Sequence, residues 1–499
     1  MNAIIQYFWY WADQEVERPF ITEGQRSFTY RQFGHLVSRL AKRITEKGIS
    51  HGDRVILYLE KKHLHVASYL ANLTIGAVTV HLYPEHTSSH VAFAVSHTGA
   101  ELIITTRKDL AIEGAEILLL DEDVDTSEIT RPLLHPHPTA YLMFTSGTTS
   151  KPKAVITTQK NLIFVTQTLI RLADIKPGDR ELIFMPLGST GGSGHLHGAI
   201  MLGNRIELLP WFMADIEDPE LKMMLDIIAR KKITGLLATP RIVQALLTRH
   251  RDDLAEKGRG LRYMLANVTP MKQETVRNLL QLLPNLRFCT YYGLTEASRS
   301  VLNVCRDNPD HEHATGFPAP SVEVKIVPLA DTPNSGEICI RGENVTPGYW
   351  NNEQPAVDRE GWFHSGDLGY FDEHGRLFVS GRIKETINID GLKCLPTEIE
   401  SVINAETEVA TCAVVAIPDN DAYHRIGAAV TLKTDQPDEW LKDAVAAKVI
   451  DACRQQLSAY KVPASIHILN QLPLTDLGKV KRLELAKLLA KSDQAYPKH

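Results

Sequence analysis

The sequence lacks the features of several specialised protein classes. Its 499 residues include six cysteines, and no two of them form a CxxC pair. Such scattered cysteines exclude a zinc ribbon or a disulfide scaffold and are typical of reduced thiols. No run of about 18 apolar residues occurs, and the N-terminus lacks the basic segment of a signal peptide. We therefore expect a cytoplasmic protein with no integral membrane association.

An excess of positive charge is also absent. The chain has 54 Lys and Arg residues against 60 Asp and Glu residues, which gives a net charge of −6. A mildly acidic chain offers no general basic surface to nucleic acid or to an anionic membrane. Hydrophobic residues make up 43% and charged residues 23%, which is ordinary for globular proteins. Composition does not reveal an oligomeric state.

The chain length and the local patterns predict two domains. Strand-like and helix-like segments alternate over the first part of the chain, which favours largely parallel sheets covered by helices. From Gly336 onward the strands become short and are separated by glycines, and the tail has an α+β pattern. The prediction is an α/β fold with a large N-terminal domain at residues 1–383 and a small C-terminal domain at residues 384–499.

The most informative segment runs from Thr139 to Val155, where an apolar strand leads into TSGTTSKPK. Hydroxyls and backbone amides can donate to phosphate oxygens, and lysines supply positive charge. A Walker loop is excluded because that motif is GxxxxGK[ST] and opens directly into a helix, whereas Pro152 interrupts here. A solvated surface loop is the alternative. The candidate phosphate-binding residues are Thr145, Ser146, Gly147, Thr148, Thr149 and Lys153.

TSGTTSKPKAV resembles the phosphate loop of the adenylate-forming, or AMP-binding, superfamily. That superfamily includes acyl- and aryl-CoA synthetases, the adenylation domains of peptide synthetases, and luciferase. Further segments resembling its motifs follow in order: YYGLTEAS, then a segment with SGD and GR steps, then LPLTDLGKVKR, so that the resemblance spans at least residues 139–482. It implies a multi-layer N-terminal domain with mainly parallel sheets and a barrel-like subdomain, a mobile C-terminal cap, and an active site at their junction.

The resemblance also implies roles in nucleotide binding. Tyr292 would stack on adenine, Thr295 would bind the α-phosphate, and Glu296 would hold Mg²⁺, which prefers carboxylate ligands. Asp367 would accept hydrogen bonds from the ribose hydroxyls, and Arg382 would contact ribose or phosphate.

The remaining implied roles concern catalysis and domain motion. Lys479 would contact the carboxylate and the α-phosphate during adenylation, because one ammonium offsets the negative groups that meet there. Lys384 would be the hinge about which the C-terminal domain rotates, and Gly391 would let the pantetheine arm pass close to the backbone.

The sequence departs from the family pattern around the expected acyl pocket. Asn267 and Val268 stand where relatives have a glycine-rich stretch, which would narrow the pocket. The glycine-rich segment with Gly191 and His195 would instead widen it, so the size of the pocket stays open. A metal at His195 and His197 is a weak alternative, because two histidines without a third ligand make a poor site. An α-amino acid substrate is disfavoured, since this segment contains no aspartate.

The resemblance implies an acid–thiol ligase that uses ATP, Mg²⁺ and coenzyme A. It would convert a carboxylic acid to an acyl-adenylate with release of pyrophosphate and then form a thioester with CoA. The alternative acceptor is the phosphopantetheine of a separate carrier protein. A nucleotide-binding protein without activity is disfavoured, because both Lys479 and Glu296 are present.

Overall fold

The structure is a computed structural model. It describes residues 3–14, 17–121, 125–145, 152–209, 218–267, 271, 273–307, 314–329, 335–352, 354–389, 392–418, 424–434, 437–475 and 479–495. None of the helices in these ranges combines the length and the apolarity needed to cross a bilayer.

The N-terminal part alternates helices and strands, as the sequence predicts. Its helices are α1 (Ile4–Gln14), α2 (Tyr30–Glu46), α3 (Lys62–Ile75), α4 (Ser88–Thr98), α5 (Gln159–Ala173), α6 (Thr190–Leu202), α7 (Asp218–Lys231), α8 (Pro240–Arg249), α9 (Arg251–Lys257) and α10 (Gln273–Leu282). Its first strands are β1 (Pro19–Glu23), β2 (Arg26–Thr29), β3 (Arg54–Tyr58), β4 (Val78–His81), β5 (Leu102–Thr105), β6 (Glu116–Leu119), β7 (Thr139–Thr145) and β8 (Lys153–Thr158). The later ones are β9 (Arg180–Ile183), β10 (Arg205–Leu208), β11 (Gly235–Leu237), β12 (Tyr263–Asn267), β13 (Arg287–Tyr292), β14 (Val301–Val304) and β15 (Phe317–Pro318).

Two large sheets organise these strands. The six-stranded sheet has the order β6-β5-β3-β4-β7-β8 and is parallel except for the antiparallel β7–β8 pair. The nine-stranded sheet has the order β15-β14-β13-β12-β11-β9-β10-β1-β2, and its central strands β1 and β9–β13 are parallel. Both sheets are covered by helices, so the predicted α/β class is confirmed.

The smaller subdomain is a four-stranded antiparallel sheet. Its strands are β16 (Val322–Pro328), β17 (Gly336–Gly342), β18 (Phe363–Phe371) and β19 (Leu377–Arg382). The turn at residues 372–376 joins β18 and β19 in an antiparallel hairpin. Its Asp372 side chain accepts hydrogen bonds from the backbone N–H groups of His374 and Arg376, which closes the turn.

The C-terminal part has its own sheets and its own core. Its elements are β20 (Ile387–Ile389), β21 (Leu392–Cys394), α11 (Pro396–Asn404), β22 (Val409–Pro418), β23 (His424–Leu432), α12 (Glu439–Gln456), β24 (Ser465–Ile468) and α13 (Arg482–Ala495). Pro396 occupies the first turn of α11, where its missing N–H costs nothing. Buried side chains between α11, β22, β23 and α12 form a cluster separate from the N-terminal ones. The domain boundary at Ile383–Lys384 stays a prediction, and a 3₁₀ turn at Ile383–Glu385 lies there.

Candidate active site

The predicted phosphate loop connects two antiparallel strands. Thr145 at the end of β7 pairs in register with Lys153 at the start of the antiparallel strand β8. This geometry differs from a Walker loop, which joins a strand to a helix. Thr145 is half-buried and Lys153 is exposed. The other predicted phosphate-binding residues, Ser146, Gly147, Thr148 and Thr149, lie outside the described residues.

A segment at residues 345–350 ties this hairpin to Glu296. The backbone N–H of Trp350 donates to the Ala154 carbonyl at 2.8 Å, and the N–H of Thr346 donates to the Glu296 carbonyl at 2.7 Å. The Tyr349 hydroxyl donates to Glu296 Oε1 at 3.2 Å, while Lys153 Nζ lies 4.8 Å from the centre of the Tyr349 ring. Tyr349 therefore links two predicted site residues, and sequence reasoning missed it.

The predicted ribose-binding group is built from two strands and a buried tyrosine. Asp367 on β18 lies opposite Arg382 on β19, and Arg382 Nε is 2.9 Å from Asp367 Oδ1. The Tyr292 hydroxyl donates to Asp367 Oδ2 at 2.6 Å. Burial raises the pKa of Asp367, while Arg382, the Tyr292 hydrogen bond and Lys479 act in the opposite direction. The structure thus brings Tyr292, Asp367 and Arg382 together; their nucleotide-binding roles stay predictions.

Lys479 reaches this group from the C-terminal domain. Lys479 is exposed to solvent, and protein atoms surround its ammonium on part of its surface. The desolvation by these atoms lowers its pKa, and Arg382 lowers it further, whereas Asp367, Glu385 and Glu296 raise it. Charged residues from motifs that are far apart in sequence therefore act on one lysine.

Local hydrogen bonds hold the lysine in place. The Thr475 N–H donates to the Lys479 carbonyl at 2.7 Å, and the Lys479 N–H donates to Thr475 Oγ1 at 3.1 Å, so the two residues close a tight turn. Arg482, at the start of α13, pairs with Glu400 at 2.7 Å and with Glu385 at 3.1 Å. Sequence reasoning missed Arg482. Its ion pairs connect the lysine turn to the segment that contains the predicted hinge.

The structure describes one of the two residues that the sequence predicts for domain motion. Lys384 is exposed in the 3₁₀ turn between β19 and β20. Gly391, predicted for the pantetheine path, lies outside the described residues.

A small cavity, lined by polar and apolar side chains, lies beside Thr295 and is partly open to solvent. Its wall includes Tyr141, Ser193, Gly194 and His197, and none of the described residues that line it is an aspartate or a glutamate. His197 Nε2 lies 3.0 Å from the Tyr69 hydroxyl. Burial lowers the pKa of His197 to about 3, and Arg299 acts in the same direction, so this imidazole is neutral at ordinary pH.

The residues predicted for the acyl pocket lie on α6 and at the end of β12, and their roles stay predictions. Gly191 and His195 do not line the described cavity; Gly194 and His197 do. His195 is buried against Glu181, with its Nδ1 2.7 Å from Glu181 Oε2, and the Tyr263 hydroxyl also donates to Glu181. Asn267 ends β12, and of it only the backbone is described, while Val268 lies outside the described residues. The prediction that these two residues narrow the pocket remains a prediction.

Comparison with known proteins agrees with this geometry. The profile of the AMP-binding enzyme family matches residues 8–350. The chain belongs to the AMP-binding enzyme family. The profile of the AMP-binding enzyme C-terminal domain matches residues 398–479, which places Lys479 at the last matched position.

Relatives of this AMP-binding enzyme match along almost their whole length. The probable CoA ligase CCL9 of Humulus lupulus is 29% identical, over 95% of this chain and 94% of its own. The oxalate–CoA ligase of Arabidopsis thaliana is 28% identical, over 94% of this chain and 95% of its own.

A solved structure shares the fold of this AMP-binding enzyme. The o-succinylbenzoate CoA synthetase of Bacillus subtilis, in complex with its acyl-adenylate intermediate, superposes with a TM-score of 0.82 at 24% identity, covering 96% of this chain and 97% of the other. The two curated relatives are both named CoA ligases, so a carrier protein as acceptor is not favoured.

Proposed function

We propose that this protein is an AMP-forming acid–thiol ligase that joins a carboxylic acid to coenzyme A. The observation that carries the proposal is the Asp367–Arg382 pair, which lies close enough to Lys479 of the C-terminal domain to act on its charge, as Glu296 also does. The relatives named above favour CoA as the acceptor. The six buried cysteines form no disulfide, which supports a cytoplasmic location.

In the first half-reaction a carboxylate oxygen of the acid attacks the α-phosphorus of ATP, and pyrophosphate leaves. Lys479 would neutralise negative charge on both groups as the new bond forms. Asp367 would accept hydrogen bonds from the ribose hydroxyls, since carboxylate oxygens are acceptors only, and its bonds to Tyr292 and Arg382 hold it in place.

The Glu296 carboxylate fits a magnesium ion, because it is an oxygen donor and its one described side-chain hydrogen bond is the contact with Tyr349. Mg²⁺ bound there would neutralise phosphate charge.

In the second half-reaction the sulfur of the thiol attacks the acyl carbon, AMP leaves, and the thiol proton passes to solvent. Rotation about Lys384 would withdraw Lys479 and bring Gly391 to the thiol path. The chain would then use two arrangements of its domains for two chemical steps.

Acid-dependent release of pyrophosphate from ATP and Mg²⁺ tests this proposal. We expect a panel of carboxylic acids to reveal at least one that supports multiple turnovers only with CoA, with acyl-CoA detected by mass spectrometry. A single-turnover burst that CoA does not relieve would point to a carrier protein as acceptor. The absence of acid-dependent pyrophosphate release for every acid would contradict the proposal.

A further inference from the structure

Arg299 is a buried cation without a counter-ion. Its side chain is 2% exposed, and its contacts are long: Nη2 donates to the Thr190 carbonyl at 3.2 Å and Nη1 to Ser298 Oγ at 3.3 Å. Its Nε has no hydrogen-bond partner in the described structure. No described aspartate or glutamate forms an ion pair with it, whereas the buried Arg376 pairs with Asp372 at 2.6 Å.

Burying the Arg299 guanidinium is energetically unfavourable in the absence of a ligand. A guanidinium does not lose its proton in proteins, so Arg299 stays charged. Removing a charge from water without a partner costs several kcal/mol. The nearest compensation is the face of Tyr291, whose ring centre lies 5.2 Å from the guanidinium carbon. That distance suits a cation–π interaction, but an aromatic ring supplies no negative charge to pair with the guanidinium.

The surrounding structure is shaped to keep this side chain in place. Arg299 has φ of +53°, a conformation that costs about 1 kcal/mol or more for a residue with a Cβ. Gly194 faces it from α6, and a Cβ on Gly194 would lie 2.1 Å from Arg299 Nη2. The glycine-rich segment therefore provides space that an arginine occupies.

The guanidinium faces the same cavity as Thr295, which is four residues earlier in the chain. Arg299 is the one charged group among the described lining residues, because His197 is neutral. Two further polar groups on the wall, Thr166 Oγ1 and Asn344 Oδ1, also lack partners in the described structure. The cavity therefore offers an unpaired cation and hydrogen-bonding groups, and no described carboxylate that could bind an ammonium group.

We infer that Arg299 binds a second carboxylate of the acid, so that the preferred substrates are dicarboxylic acids. The inference rests on the proposed function, because it treats this cavity as the acyl pocket. One carboxylate of the substrate reacts with ATP near Thr295 and Lys479. The other stays intact and accepts hydrogen bonds from the Arg299 fork, a geometry that suits a carboxylate.

Matched pairs of acids test the inference in the wild-type enzyme. ATP–pyrophosphate exchange is measured with diacids (oxalate, malonate, succinate, glutarate, adipate and phthalate) and with acetate, propionate, butyrate, pentanoate, hexanoate and benzoate. Monomethyl succinate keeps the length of succinate and removes one charge. We expect the best diacid to exceed its matched monoacid in kcat/KM by about 100-fold or more, because a polar site rejects an analogue that leaves its groups unpaired. A preference for monoacids would overturn the inference.

Variants of Arg299 test whether this residue causes the preference for diacids. In Arg299→Met we expect kcat/KM for the diacid to fall about 100-fold, mainly through KM, while the monoacids are unchanged or improved. Arg299→Lys should keep part of the preference, since it keeps the charge and loses the fork. Arg376→Met is the matched control, because it removes a buried arginine outside the cavity, and it should leave the diacid-to-monoacid ratio unchanged. An unchanged diacid-to-monoacid ratio of kcat/KM in Arg299→Met would contradict the inference. So would an equal loss of kcat/KM for all acids together with a raised KM for ATP.

Direct binding measurements distinguish a failure of this inference from a failure of the proposed function. Calorimetric titration of the same diacids into wild-type and Arg299→Met protein requires no turnover, and circular dichroism checks that each variant is folded. Binding to the wild type that is lost in folded Arg299→Met and retained in Arg376→Met, with no exchange for any acid, would uphold the anion site and contradict the ligase. Exchange with monoacids alone and no diacid binding would uphold the ligase and contradict the site.

Discussion

At the scale of single residues, the candidate site depends on side chains whose neighbours orient them. Lys479 is held by its turn with Thr475, and Arg482 anchors that turn to Glu400. The sequence identifies Lys479 through the LPLTDLGK segment. It does not identify Arg482 as an anchor, because an arginine at the start of a helix is common and its partners lie 82 and 97 residues away.

Replacing the lysine separates the two half-reactions. For Lys479→Ala we expect acid-dependent ATP–pyrophosphate exchange to fall by about 100-fold or more, because the charge that stabilises the transition state is gone. Thioester formation from supplied acyl-adenylate and CoA should change little. Lys481→Ala is the control, since Lys481 is an exposed lysine two residues along the same loop. Equal losses in both half-reactions would contradict this division of roles.

At the scale of elements, the glycines of α6 have different reasons to be glycine. Ser189 caps the helix by accepting from the N–H of Gly192 at 3.1 Å. A Cβ on Gly192 would lie 2.3 Å from the Pro186 carbonyl oxygen, whereas a Cβ on Gly198 would meet its nearest neighbour at 3.8 Å. From the sequence alone these glycines are equivalent members of one glycine-rich segment. Packing against the Pro186 carbonyl at the start of the helix leaves no room for a side chain at Gly192, whereas Gly198 has that room.

Alanine substitutions therefore have opposite expected effects along one helix. Gly192→Ala should lower the free energy of unfolding by about 2 kcal/mol, because backbone atoms must move to admit the methyl group. Gly198→Ala should be neutral or raise it by up to about 1 kcal/mol, because alanine favours helix and the space is free. Denaturant unfolding of both variants measures the difference. Equal destabilisation would show that the two positions are packed alike.

At the scale of the whole molecule, buried histidines connect the two large sheets of the N-terminal domain. His65 Nε2 lies 2.9 Å from His81 Nδ1, and His197 of α6 contacts Tyr69. Burial lowers the pKa of His65 to about 4 and that of His197 to about 3, and it holds the pKa of His81 well below its usual range. All three are therefore neutral in the folded protein at neutral pH.

This cluster predicts loss of stability in mild acid. Because the unfolded chain binds protons near pH 6.5 and the folded chain does not, stability is complete above pH 6.5 and decreases as pH falls toward 4. The expected slope is up to about 1.4 kcal/mol per pH unit for each histidine. Denaturant midpoints between pH 7.5 and 5 measure it. His65→Gln should reduce the slope, and the exposed His374→Gln should not; equal slopes in all three proteins would contradict the assignment.

A short 3₁₀ turn at Ile383–Glu385 lies at the predicted boundary between the two domains, and it allows a test of the predicted hinge. Lys384 is exposed in the 3₁₀ turn, where a change of backbone angles would redirect the whole C-terminal domain. Lys384→Pro restricts φ and should slow thioester formation by about tenfold or more while adenylation is retained. Lys384→Ala is the control for loss of the charge alone. Single-turnover kinetics of each half-reaction give the measurement, and equal slowing of both steps would argue against a hinge at this position.

What the sequence alone determined about this protein came from patterns of residues that are close together in the chain. The alternation of strands and helices, the apolar strand before TSGTTSKPK and the ordered motifs are all local, because backbone preferences and short spacings act over a few residues. Only the tertiary structure decided which isolated side chains meet. Tyr349 and Arg299 belong to no motif that the sequence analysis used, and the ion-pair partners of Arg482 are distant from it in the chain. Their contacts arise because packing brings together strand ends and helix starts that are far apart in sequence, and it leaves Arg299 Nε without a partner among the described residues.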